Sequence, residues 1–175
     1  WADEDDDSEE DRQKWMTYFV DHVYTQKRPP SIAAVPNYPA DNKVHEVQLR
    51  IWNGPDDLRS GNDNVDIQVE FKNGSSQTVR NANAGERWVG GSLNFLNFKL
   101  DRAVAEHEIK NVILRTNFGG GISGDNWDVR RIDVYYRKNN QLKFAMARNC
   151  DNTTCKDGNV VRFTASKKDY SMYST

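Results

Sequence analysis

No stretch of the chain stays apolar for long enough to span a bilayer, so no membrane-crossing helix is predicted. Catalytic signatures are also missing. Neither G-x-S-x-G nor H-E-x-x-H occurs, and the 3 histidines, His22, His45 and His107, have no serine or cysteine nucleophile patterned beside them. Carboxylate pairs for glycoside hydrolysis can always be assembled from 26 acidic residues, so their supply decides nothing, and a binding protein is the expected class over an enzyme. Cysteine is scarce, with only Cys150 and Cys155, and the histidines lie too far off in sequence to complete a zinc site. A disulfide between the two fits better. It closes a loop of about six residues, is worth about 2 kcal/mol on the chain-entropy model, and favours an oxidising compartment, hence a secreted or periplasmic protein. The interleaved basic and aromatic pattern of nucleic-acid modules is absent as well, so nucleic acid is not an expected partner.

One glycine-rich stretch invites a different chemistry. In "NFGGGISGDNWDVRRIDVYY", Gly119, Gly121 and Gly124 match G-x-G-x-x-G behind the apolar run "NVILRT". A dinucleotide site also needs a helix immediately afterwards, whose N-terminal N–H groups face the pyrophosphate. Here Ile132, Val134 and Tyr136 alternate instead with Arg131, Asp133 and Tyr135, the two-residue period of a half-buried strand. The glycines then read as a loop between strands.

The net charge of -2 hides an asymmetry. Residues 1–11, "WADEDDDSEED", hold eight acidic residues and no Lys or Arg, which leaves 24 basic against 18 acidic residues elsewhere, a net of +6. Two readings stand: a solvated, disordered acidic arm, or an arm that folds back over a surface meant for anionic lipid, glycan or nucleic acid. Residues 12–43 form a second segment. "SEEDRQKWMTYFVDHVYTQKR" has Ser8 as a cap, Trp15, Phe19 and Val23 on one face, and a stop at Pro29-Pro30, which predicts an amphipathic helix followed by a proline-rich linker.

From 44 to 175 the pattern is one of strands. Val47, Leu49 and Ile51 alternate; so do Val65, Ile67, Val69 and Phe71 before the turn "KNGSS". Further strands are marked at Gln77–Arg80, around Leu96–Leu100, at Ile109–Thr116, at Asp128–Arg137 and Leu142–Arg148 flanking "KNN", and at Val160–Ala165. Seven to nine such strands predict a mainly β protein, an antiparallel β-sandwich, after the single N-terminal helix.

Two polar loops are the candidate sites. "NGPDDLRSGNDNVD" gathers Asp57, Asn62, Asp63 and Asn64, and "GISGDNWD" adds Asp125 and Asn126. These oxygen donors suit calcium, which takes six to eight oxygens, but Asn and Asp are also what tight turns demand. Trp88 and Trp127 stand in polar surroundings, with Arg130 and Arg131 beside the second. Each tryptophan is either a core plug or, with the arginines, a platform for a sugar ring or a lipid interface.

Three segments, "DDLRSGNDNVDIQVEFKNG", "NFKLDRAVAEHEIKNVILRTN" and "GGISGDNWDVRRIDVYY", together resemble PLAT-type (lipoxygenase homology) domains and similar secreted bacterial modules. The resemblance spans about residues 47–136 and is most specific at Gly124, Asp125, Trp127, Arg131, Ile132 and Val134. It implies an eight-stranded antiparallel sandwich that binds membranes or protein partners, sometimes with calcium in its end loops. The expectation is a secreted, non-catalytic binding module for a membrane surface, protein or glycan, with a small secreted enzyme or toxin subunit as the alternative.

Overall fold

The computed structural model describes residues 37–59, 63–117, 126–150 and 155–173. The acidic arm, the expected helix and most of the linker lie outside the described residues.

Nine strands run in chain order: β1 Val44–Asn53, β2 Val65–Phe71, β3 Ser76–Val79, β4 Leu93–Val104, β5 Ile109–Thr116, β6 Trp127–Lys138, β7 Gln141–Asn149, β8 Val161–Phe163 and β9 Asp169–Ser171. No α-helix occurs among the described residues, only short 3-10 turns at Glu106–Glu108 and Lys156–Gly158. The strands form two antiparallel sheets. One is ordered β4-β1-β6-β7, with β8 pairing the start of β6; the other is ordered β3-β2-β5-β9. The fold is thus the expected mainly β, antiparallel sandwich.

Alternation in the sequence explains the two layers. Val47, Leu49 and Ile51 of β1 are fully buried against Val65, Ile67 and Val69 of β2, and β6 adds Ile132 and Val134. Burying each such side chain stabilises the fold by about 1.5–3 kcal/mol, which is why the register cannot slip by one residue. The hairpin at "KNN" forms because Asn139 and Asn140 both take positive φ, 49° and 61°, the geometry of a two-residue turn that matches strand twist. Both then pin the entering chain: Asn140 Oδ1 accepts from the Tyr38 amide at 2.7 Å and Asn139 Oδ1 from the Asn42 amide at 2.9 Å. The loop holding Cys150 and Cys155 is closed by the expected disulfide.

A buried phenol pair closes the core at the C-terminal end. Tyr136, 2% exposed, and Tyr173 are hydrogen-bonded through their hydroxyls, and burial raises the pKa of both above the ordinary tyrosine value. The unfolded chain therefore loses phenolic protons near pH 10 that the native state keeps, so stability is intact below that pH and falls as the pH rises past it. The expected slope is about 1.4 kcal/mol per pH unit for each phenol held neutral. Urea midpoints measured between about pH 9 and 11 should show it, and Tyr136→Phe should make the fall shallower. An unchanged slope in that variant would remove the pair from the explanation.

Candidate functional site

β1 and β5 end, and β2, β4 and β6 begin, at the same end of the sandwich, where the described loop residues 54–59, 63–64, 80–92, 117 and 126 lie. Asn53, the last residue of β1 and 1% exposed, is the hub. Its Nδ2 donates to the carbonyls of Trp88 and Val89 at 2.8 and 3.0 Å, while its Oδ1 accepts from Trp127 Nε1 at 3.1 Å. Trp127 lies flat on Phe163 with ring centroids 5.0 Å apart and meets Trp88 edge-on at 5.7 Å. An isolated antiparallel bridge between Leu58 and Trp88 ties the first loop to the second. Gly91, at φ +75, then turns the chain back so that its amide donates to the Gly54 carbonyl at 3.0 Å. The result is a fixed tip on which Val89 stands 48% exposed.

Ion pairs surround that tip. Asp57 is held by Arg87 at 2.5 Å, and the Arg162 guanidinium spans Asp56 and Asp128 at 2.9 Å each. Asp128 is 1% exposed, and burial pushes its carboxyl pKa up even though Arg162 pulls it down. A shifted carboxylate in a cleft would suggest catalysis. This one is closed off and clamped by an arginine, so its role is structural. Gly54 is required beside it, because a Cβ there would lie 2.3 Å from Asn159 Oδ1 and 2.6 Å from Asp128 Cβ. Asn159 Oδ1 is buried against that glycine without a hydrogen-bond partner among the described residues.

The residues expected to form the site divide accordingly. Trp88 and Trp127 are 4% and 0% exposed, so the platform reading is corrected: both are core plugs, and neither offers a face to a sugar or a lipid. Arg130 is exposed because it is the extra residue of a β-bulge, Trp52 pairing with Arg131 and Asn53 with Val129. Arg131 turns instead to the outer face of the sheet, where it binds Asp133 at 2.8 Å. Asp63 and Asn64 sit just before β2, where Asn64 Oδ1 accepts from Asn83 Nδ2 at 3.3 Å; Asn126 precedes β6. Asn62 and Asp125 lie outside the described residues, as do the glycines 119–121 and 124. A strand, not a helix, follows those glycines, which removes the dinucleotide reading. Among the described residues no group of three or more His, Cys, Asp or Glu is placed to hold a metal ion. Sequence reasoning missed Asn53, Arg162 and Val89, since one amide, one arginine and one valine carry no pattern.

Two antiparallel sheets in this order make this a PLAT-like β-sandwich, the class the three sequence segments resemble. Among solved structures the chain is similar to an alpha-toxin of Clostridium perfringens from an avian strain, with a TM-score of 0.58 and 18% identity over 90% of this chain and 36% of the toxin. It is also similar to the alpha-toxin of Clostridium absonum, with a TM-score of 0.57 and 15% identity over 77% of this chain and 33% of the toxin. The chain spans about a third of the length of either toxin, and at these identities the likeness is one of fold. No protein family and no curated protein matches the sequence.

Proposed function

We propose that the protein is a non-catalytic module that docks on an anionic membrane surface with the loop end of its sandwich. The observation that carries this reading is Val89: an apolar side chain, 48% exposed, held on a fixed tip that arginine–carboxylate pairs surround. A protruding apolar group inserts between lipid headgroups, and nearby cations gain roughly 1 kcal/mol each from an anionic leaflet. Arg59, Arg87 and Arg162, each beside a carboxylate, and the exposed Arg130 are cations on this end. Because the tip is fixed before contact, little conformational entropy is lost on docking. The disulfide supports an extracellular setting, and the fold neighbours, both toxins, fit a protein that works on cell surfaces or as a toxin subunit.

Calcium assistance is the finer part of the proposal. Asp57 is not a donor for it, because Arg87 already neutralises its carboxylate. The donors are Asp63, Asn64 and Asn126, together with Asn62 and Asp125. Protein or glycan partners at this end compete with the membrane reading, and the same experiment separates them.

Co-sedimentation with vesicles of phosphatidylcholine alone and of phosphatidylcholine with phosphatidylserine is the test, run in calcium and in EDTA. The expected result is binding to the anionic vesicles that weakens with salt and falls about tenfold in Val89→Glu, since a charge replaces the inserted side chain. Asp63→Ala should abolish only the increment due to calcium. If Val89→Glu binds like the parent protein, the loop end is not the docking surface. If no vesicle binds, the partner is not a membrane.

A further inference from the structure

The other side of the five-stranded sheet, facing away from the core, carries a composition that folding does not require. Along its outer face β1 places Gln48, Arg50 and Trp52, and the register sets Arg50 opposite Phe95 of β4 and Gln48 opposite Tyr135 of β6. Tyr135 in turn lies opposite Phe144 of β7, with the rings edge-on at 5.6 Å. Rings from β4, β6 and β7 therefore flank the polar side chains of β1, and Phe144 is 59% exposed at the β7 edge. Gln48 Nε2 donates to Asn97 Oδ1 at 2.8 Å, so an amide pair borders the rings.

The charges on this face are unequal in kind. Arg131 binds both oxygens of Asp133 at 2.8 and 3.0 Å, and Arg137 binds Glu46 at 3.1 Å. Arg50 has no carboxylate partner among the described residues. Its guanidinium lies 4.2 Å from the centre of the Tyr135 ring and 5.8 Å from that of Phe95, and only its Nε is used, donating to Gln48 Oε1 at 3.2 Å. A guanidinium has five N–H donors in a planar fork. The Cα partner of Arg50 on β6 is Asp133, whose carboxylate Arg131 already holds, so the fork lies beside the Tyr135 ring with its terminal N–H donors unused among the described residues.

We propose that this face is a second binding site, separate from the loop end, and that its ligand is an acidic glycan. A carboxylate or sulfate of the sugar takes the unused donors of Arg50, pyranose rings lie on Tyr135 and Phe144, and hydroxyls meet the Gln48 and Asn97 amides. The same features argue against other occupants. A bilayer calls for protruding apolar side chains, whereas these rings are set among amides and ion pairs with only Phe144 strongly exposed. A second copy of the chain would bring two unmatched Arg50 charges together across the contact. A polynucleotide needs several free cations along its path, and Arg131 and Arg137 are already neutralised.

Calorimetric titration of the full chain tests the assignment, with a heparin oligosaccharide as the sulfate source, a hyaluronan oligosaccharide as the carboxylate source, and a maltooligosaccharide of equal length as the neutral control. Saturable binding to one or both acidic sugars is expected, with little to the neutral one. Arg50→Gln should weaken it by about tenfold, the share a charge-assisted hydrogen bond carries, and Phe144→Ala should weaken it less. Lys110→Gln makes the same change of charge on the outer face of the other sheet and should leave binding within about twofold, as expected for a distant, independent site. An equal loss in Lys110→Gln would mean unspecific charge attraction and overturn the proposal. So would failure of the folded chain to bind either acidic sugar, or binding of a single-stranded oligonucleotide as tight as that of the sugars. Vesicle binding and sugar binding use different surfaces, so each proposal can fail while the other holds.

Discussion

Trp127→Ala should lower the unfolding free energy by about 3–5 kcal/mol, a large part of the 5–15 kcal/mol that holds an ordinary domain folded. Three losses add in one direction. The ring is fully buried, so its removal leaves a cavity between the sheets at the loop end. Its stacking on Phe163 at 5.0 Å disappears, and Phe163 belongs to β8, a strand of three residues whose pairing runs along Trp127–Val129. The third loss is the indole N–H, which leaves Asn53 Oδ1 buried without a donor. Trp127→Phe keeps much of the volume and loses the donor, so it should fall between the two. Urea unfolding at constant slope is the measurement. A cost below about 1 kcal/mol for Trp127→Ala would mean that the loop end collapses freely onto the space, and the fixed tip argued for Val89 would have no foundation.

The strands were legible because alternation is a local signal that sandwich packing enforces. Val65, Ile67, Val69 and Phe71 read as a strand and form one, and the "KNN" turn follows from two asparagines that tolerate positive φ. β9 was not legible: Asp169–Ser171 has no apolar alternation and becomes a strand only because β5 offers an edge at Ile113–Arg115. The loop end of the sandwich was legible in the sequence, and the surroundings of its side chains were not. Of the crowded Asp and Asn, the described ones, Asp57, Asp63, Asn64 and Asn126, lie in loops at one end of the sandwich. Which carboxylates are free depends on arginines distant in sequence: Arg87 for Asp57, and Arg162, 34 residues along the chain, for Asp128. Trp88 and Trp127 misled in the same way, since a polar neighbourhood in sequence says nothing about what a side chain packs against. Arg50 drew no notice because an alternating strand is expected to carry polar residues on its outer face, and only the register shows that its neighbours are rings.

Asn53→Ala should cost nearly as much as the loss of a large core residue although it removes few atoms, with about 2–4 kcal/mol expected from the groups it strands. Its amide satisfies the Trp88 and Val89 carbonyls and the Trp127 indole at once. Leu58 still donates to the Trp88 carbonyl at 3.0 Å, and the Ser92 amide and hydroxyl still donate to the Val89 carbonyl at 3.1 and 2.7 Å, so the largest penalty falls on the buried Trp127 indole, which loses its acceptor. Asn53→Asp is the sharper probe. It keeps an acceptor for the indole, removes both donations to carbonyls, and sets a charge in a site that is 1% exposed, so it should be worse than alanine at neutral pH and recover as acid protonates the carboxyl. A double-mutant cycle of Asn53→Ala with Trp127→Phe should show coupling of more than about 0.5 kcal/mol, because the two changes remove the same hydrogen bond; strict additivity would mean that the bond contributes nothing. The functional consequence is separable from stability. At a temperature where Asn53→Ala is still folded, the segment carrying Val89 has lost its side-chain hold on β1 and keeps only the backbone bonds from Asn53 N–H to the Ser92 carbonyl at 2.9 Å and from Gly91 N–H to the Gly54 carbonyl at 3.0 Å. Vesicle binding should then weaken while sugar binding on the outer face of the sheet stays as it was. If both weaken together, the amide supports the whole sandwich rather than the tip, and the tip cannot owe its fixed position to Asn53.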